Sequence, residues 1–304
     1  MSDQSQQGAG RVDNDGVGIA YEVHGEGATT VLLLPPWAVN HSGIWQQQVP
    51  VLAQRFRVVT YDPRGNGRSD RPLDPSAHTP EVLLSDAVAV LDAVGVDRCV
   101  VVGNSFGTVF AYLLAGLVAA RVEGAVFMNP SSLNLDGRTD DPFQQALLHF
   151  RDELGTDDGW ARLNHRSWQR DFAGFVEWFA GQAFPEPDAG HLRAVAVAWG
   201  RETTADHLAA TVLGRTAAPV EETAARLRAL AGNIGCPTLV IHGQLDPIAP
   251  RHRAETLARL LDGELALIDD AGHCPQASRP ERVNRLIEAF ITERVTAAPA
   301  SSAG

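Results

Sequence analysis

The chain has 304 residues, 44% of them hydrophobic, which is enough to bury a sizeable core and excludes a disordered or fibrous protein. Its 25 Lys and Arg against 37 Asp and Glu give a net charge of −12 without a basic cluster, so neither a nucleic acid nor an anionic membrane surface is an expected partner. The first ten residues lack the basic start and apolar segment of a secretory signal, no run approaches a membrane span, and Cys99, Cys236 and Cys274 are too scattered for a disulfide framework, so the expectation is a reduced, cytoplasmic protein.

In chain order, residues 1–10 are expected to be a flexible tail. A hairpin is expected from residues 17–21 and the turn-rich His24-Gly25-Glu26-Gly27, leading into a buried strand over 30–34 that Pro35-Pro36 stops. A second β-rich run, 56–61, ends at Asp62-Pro63 and the loop to Ser69, with Asp62 and Arg64 bracing that turn. Residues 80–94 carry apolar side chains at three- and four-residue spacing, a helix, and precede a third strand at 99–103. Further apolar runs at 124–128, 237–242 and 265–268 complete the pattern, followed by a closing helix over 280–295. Strands alternating with helices at this spacing predict an α/β, mostly parallel, doubly wound sheet.

Residues 133–232 break the alternation with a helical pattern that holds Trp160, Trp168, Trp178 and Trp199, four of the six tryptophans. Core residues are therefore expected at 11–132 and 233–295, with 133–232 as an inserted helical cap and 296–304 as a second flexible tail. Most cap aromatics are expected to be packing, and a few to line a pocket. Gly65-Asn66-Gly67 opens no helix and precedes no GK[ST], so it is a tight turn and not a phosphate loop.

Gly103-Asn104-Ser105-Phe106-Gly107 stands where a strand ends and a helix begins, the context in which G-x-S-x-G acquires meaning. The turn lifts a serine hydroxyl clear of the sheet at a helix N-terminus, where unpaired N–H groups favour developing negative charge. A serine hydroxyl is a weak nucleophile unless a histidine takes its proton and an acid orients that histidine. Both occur downstream: Asp246 follows the strand at 237–242, and His273 follows the last strand. Open parallel sheets gather chemistry at the C-terminal ends of their strands, so these three can meet there.

The elbow at 103–107, the loop at 62–70, the run from His242 to Asp246 and Gly272-His273 together resemble the α/β-hydrolase family over residues 17–295. The resemblance implies Ser105 as nucleophile, His273 as general base and then acid, and Asp246 as the orienting acid. In some relatives the acid comes one strand earlier, where this chain has Asp136. His242 is expected as a structural turn residue and Cys274 as a small packed one. Most relatives carry His-Gly after the first core strand where this chain has Pro35-Pro36-Trp37, which leaves the backbone N–H groups of Trp37 and Phe106 as the implied oxyanion donors. Pro36, Asn104, Trp178 and Trp199 are candidate substrate contacts.

The implied reaction is hydrolysis of a carboxylic ester, lactone or thioester of a small hydrophobic acyl-type substrate, with no metal or other cofactor and with a homodimer left open. Carbon–carbon bond hydrolysis stays open beside it, as do cyclase, lyase or acyltransferase chemistry and a ligand-binding role. A serine at the elbow argues against epoxide hydrolysis, for which relatives use aspartate.

Overall fold

The computed structural model describes residues 8–216 and 218–297. They form eight strands: β1 (Gly8–Asn14), β2 (Val17–His24), β3 (Thr30–Leu34), β4 (Arg57–Tyr61), β5 (Cys99–Asn104), β6 (Val122–Met128), β7 (Thr238–Gly243) and β8 (Glu264–Ile268). One sheet orders them β1-β2-β4-β3-β5-β6-β7-β8, antiparallel at β1 and β2 and parallel from there on. β3, β5 and β7 are buried along their whole length, which is why they read as continuous apolar runs: helices cover both faces.

The helices are α1 (Val49–Leu52), α2 (Pro80–Ala93), α3 (Gly107–Leu117), α4 (Pro142–Leu148), α5 (His165–Ala183), α6 (Gly190–Gly200), α7 (Ala205–Arg215), α8 (Val220–Leu230), α9 (Arg251–Leu260), α10 (Pro275–Ser278) and α11 (Pro280–Phe290). α4 to α8 all fall between β6 and β7, where the sequence breaks its alternation. α2 starts where Thr79 Oγ1 accepts from Val82 N and Pro80 occupies the first turn. α5 is kinked at Asp171, whose φ of −149° and ψ of 75° are not helical and whose carboxylate accepts from Gly174 N at 2.8 Å. No helix among the described residues is long and apolar enough to cross a membrane.

The N-terminal region departs from expectation. Gly8 to Gly10 belong to β1 and are not tail; residues 1–7 lie outside the described residues. The hairpin joins β1 to β2 through Asp15 and Gly16, both at positive φ, whereas β2 and β3 are not neighbours because β4 lies between them. Backbone pairing, which an exposed edge strand can supply with little side-chain pattern, is what the sequence concealed. At the other end the last described residues, 296 and 297, follow a π-helical turn, Ile291–Val295, and the rest of the expected tail lies outside the described residues.

The loop after β4 is braced by Asp62, which accepts from Arg68 N and Nε at 3.0 Å each and from Ser42 N at 3.2 Å. Arg64 does something else: it turns into the core and forms a two-pronged ion pair with Asp86 of α2, Nε to Oδ2 at 2.7 Å, with both side chains only 2% exposed. Removing one partner strands the other charge in a low-dielectric setting. Asp86→Ala is therefore expected to destabilise the fold by about 3–5 kcal/mol, read as a lower urea midpoint at unchanged slope.

Candidate active site

Strand β5 ends in Asn104, and Ser105 follows at φ 55°, a left-handed conformation that costs a non-glycine residue roughly 1–2 kcal/mol. Neighbouring contacts hold it there: Ser105 N donates to Met128 O at 2.9 Å, and α3 begins two residues later at Gly107. The flanking glycines are steric necessities. A Cβ on Gly103 would run into the backbone of Gly107, and one on Gly107 would stand 2.7 Å from Pro35 O. The serine is thus raised at the C-terminal edge of the sheet, with the start of α3 behind it.

Asp246 and His273, from the loops after β7 and β8, meet at this edge. His273 Nδ1 donates to Asp246 Oδ2 at 2.8 Å, and the aspartate side chain has no exposed surface. Burial alone would raise that carboxyl's pKa. The charge and hydrogen bond of His273, the charge of His242 and the amide of Asn129 outweigh burial and hold it below the ordinary carboxylate value, so it is an anion at neutral pH. Every lone-pair direction is used: Oδ1 accepts from Ile248 N at 2.7 Å and Ala249 N at 3.0 Å, while Oδ2 also accepts from Asn129 Nδ2 at 2.5 Å. With Nδ1–H committed to the aspartate, a neutral His273 presents Nε2 as its free base. Asp136, the alternative acid, lies elsewhere, with Oδ2 3.4 Å from His252 Nε2.

Ser105 Oγ shares a hydrogen bond with Ser131 Oγ at 3.1 Å, and among the described residues none joins it to His273. Hydrogen bonds of this kind often tighten only when substrate is present. Beside the serine, the N–H groups of Trp37 and Phe106 have no acceptor among the described residues, although Trp37 and Phe106 are only 4% and 5% exposed. Buried backbone donors are nearly always paired, so these two are left open to a bound acceptor. The prolines at 35 and 36 carry no N–H and so leave Trp37 as the first donor on that loop. The Trp37 ring is fixed by a 2.7 Å bond from Nε1 to Thr211 Oγ1 on α7 and by edge contact with Phe179, ring centres 5.3 Å apart.

The four candidate substrate contacts fall in different surroundings. Asn104 is fully buried, and its Nδ2 donates to His273 O at 3.0 Å and Met128 O at 3.4 Å; its polar groups are spent bracing the histidine loop. Trp178 packs edge-on to Trp160 at 5.1 Å, and Trp199 lies against His41 at 5.0 Å; neither lines the cavity of about 860 Å³ beneath the cap, which reaches Phe106 and Ser132. Pro36 is buried beside Trp37 and likewise lies off that cavity. His242 is in strand β7, 1% exposed, and not in a turn.

Several residues escaped the sequence reading because no local motif marks them. Asn129, at φ 47° after β6, ties Asp246 to Gly272 O. Glu186, from the link between α5 and α6, accepts from Gly272 N at 2.7 Å and so lets the cap hold the histidine loop. Arg253 of α9 donates to Ser131 O and to Asp141 at 2.5 Å, tying the serine's neighbour to the first cap helix.

Cys274 follows His273 but is no nucleophile. Burial, then the charges of Asp246 and Glu186, push its thiol well above the ordinary value; burial pushes Cys99 up to about 12 and Cys236 up to about 11. All three are thiols at pH 8, so the native protein is expected to react with Ellman's reagent far more slowly than the urea-unfolded chain, which should release three equivalents. A fast equivalent from native protein would contradict the burial.

A family model described as "alpha/beta hydrolase fold" matches residues 23–280. The chain belongs to the alpha/beta hydrolase fold family. Among curated relatives, the 2-hydroxymuconate semialdehyde hydrolase of Pseudomonas putida is 30% identical, with 79% of each chain covered. Epoxide hydrolase A of Mycobacterium tuberculosis is also 30% identical, over 92% of this chain and 96% of its own. Among solved structures Est816, described as an N-acyl homoserine lactone degrading enzyme, superposes with a TM-score of 0.74 at 29% identity, covering 92% of this chain and 100% of its own. These alpha/beta hydrolases act on different bonds, so membership sets the frame of the site and the side chains within it must argue the reaction.

Proposed function

We propose that the protein is a serine hydrolase that cleaves a carboxylic ester, lactone or thioester of a small, largely apolar substrate through an acyl-enzyme on Ser105. The observation that carries this reading is the buried Asp246–His273 pair at the sheet edge where Ser105 is held at φ 55°. In the proposed reaction Ser105 Oγ leaves Ser131 and attacks the carbonyl carbon while His273 Nε2 takes its proton. The carbonyl oxygen becomes an oxyanion that accepts from Trp37 N and Phe106 N. Collapse expels the alcohol, alkoxide or thiolate, which receives the proton from His273. Water then attacks the acyl-enzyme by the same route, giving up its proton to His273 and releasing the acid and a restored Ser105. The description of Est816 favours the lactone branch of this range.

Intact-protein mass spectrometry with p-nitrophenyl esters from acetate to octanoate tests the reading. A transient acyl adduct that maps to Ser105, with nitrophenol release that varies with chain length, is expected. A folded protein that releases no nitrophenol and acquires no adduct would overturn it, and carbon–carbon bond hydrolysis would then be the reading to examine.

A further inference from the structure

Arg215, the last residue of α7, is a half-buried cation with no anion beside it among the described residues. Its guanidinium carbon sits 4.7 Å from the Trp37 ring centre, 4.9 Å from that of Phe106 and 6.0 Å from that of Phe143. Among the described residues Nε and Nη2 are shut off from solvent with no acceptor, and no carboxylate pairs with the side chain. Burial draws its pKa down to about 9, which leaves it charged at neutral pH. The carbonyl end of α7 and the aromatic faces offset part of the desolvation, but buried charges are ordinarily matched by a counter-charge. Arg215 lines the cavity beneath the cap, next to the apolar side chains of Val109, Leu147 and Leu227. Its other charged lining residues are Arg151, Arg226 and Glu81, and Glu81 already pairs with Arg226 at 3.1 Å. The cavity is therefore a largely apolar cleft with an excess of positive charge, whose least exposed cation lies against Trp37 and Phe106.

We propose that Arg215 binds a carboxylate on the substrate, so that the protein acts on esters or lactones whose acyl part ends in a second, free carboxylate. The inference rests on the serine-hydrolase reading for the bond that is cleaved, but the carboxylate site itself does not depend on it. Phe106 adjoins Ser105, so a guanidinium over the Phe106 ring places the second carboxylate a short chain away from the scissile carbonyl. The apolar lining suits that chain, and Arg215 supplies the counter-charge.

Two measurements test this. In the first, kcat/KM is compared between mono-p-nitrophenyl succinate or glutarate and the neutral p-nitrophenyl butyrate or pentanoate. Wild type should prefer the half-esters; in Arg215→Gln the ratio of half-ester to neutral ester should fall about 10- to 100-fold, mainly through KM, with Arg215→Lys in between. An arginine that only braces the cap would lower both substrates together and leave the ratio unmoved. In the second, thermal unfolding is followed with glutarate or glutaramide. Glutarate, and not glutaramide, should raise the Tm of wild type and of Ser105→Ala but not of Arg215→Gln. If no ester is turned over while glutarate still stabilises through Arg215, the hydrolase reading fails and the carboxylate site stands. Should glutarate fail to stabilise wild type, or should wild type show no preference for half-esters it does hydrolyse, the carboxylate site is overturned, and neither result needs the Arg215 variants to fold.

Discussion

Ser105→Ala is expected to lose about 10⁴- to 10⁶-fold in kcat on p-nitrophenyl esters and to form no acyl adduct, with circular dichroism and the unfolding midpoint close to wild type. The size follows from what the residue does in the proposed reaction: without Oγ there is no covalent intermediate, and His273 and the two N–H groups can only assist direct attack by water. The small stability effect follows from the backbone. Alanine keeps a Cβ at φ 55° and so keeps the strain, while only one side-chain hydrogen bond, to Ser131, is lost. Ser105→Gly separates the two: it is equally inactive, but it releases the left-handed strain and should unfold at slightly higher urea. Turnover retained in Ser105→Ala at more than a hundredth of wild type would remove Ser105 from the reaction, whatever the geometry around it.

The parts of this site that can be read from sequence are those with a local physical signature. β3, β5 and β7 are visible because strands covered on both faces must be apolar throughout. Ser105 is visible because a strand-to-helix elbow demands glycine where the chain passes within contact distance of Pro35 and Gly107. Asp246 and His273 are visible because topology brings the loops after the last two strands to the same edge. Asn129, Glu186 and Arg215 have no such signature; each matters only through a partner 117, 86 or 178 residues away in sequence, at Asp246, Gly272 and Trp37. The cap aromatics show the opposite failure. Composition marks Trp178 and Trp199 as residues to be covered, but it does not say by what: both are half-buried, packed against Trp160 and His41, and off the cavity.

Arg215 also alters the picture that composition suggests. A net charge of −12 and a cap rich in tryptophan and phenylalanine point to an uncharged, apolar substrate. One uncompensated cation inside the cavity outweighs the surface average, because a charge interacts far more strongly in an apolar chamber than through solvent and salt. Acidic surface and cationic pocket are compatible: the first acts on solubility and encounter, the second on which acyl group is held once inside.

Asp246→Asn is expected to lower kcat by about 10⁴-fold, nearly as much as loss of the serine, although it changes one atom. The hydrogen bonds dictate which atom changes. Oδ1 accepts from the N–H groups of Ile248 and Ala249, so the asparagine must keep its carbonyl oxygen there and place its NH₂ where Oδ2 stood. That NH₂ faces His273 Nδ1 and Asn129 Nδ2. Against His273, a donor in place of an acceptor selects the tautomer with Nδ1 bare and Nε2 protonated, and a protonated Nε2 cannot take the proton of Ser105. Against Asn129, two NH₂ groups now oppose each other, and one buried donor goes unpaired at a cost of about 1–3 kcal/mol. The two effects separate in the double variant: adding Asn129→Ala removes the opposed donor, though also the tie to Gly272 O, so its stability cost should add less than in full to that of Asp246→Asn, while kcat stays at the level of Asp246→Asn. Recovery of activity in that double variant would show that the carboxylate acts through the fold of the loop, and the orienting role proposed for Asp246 would fall.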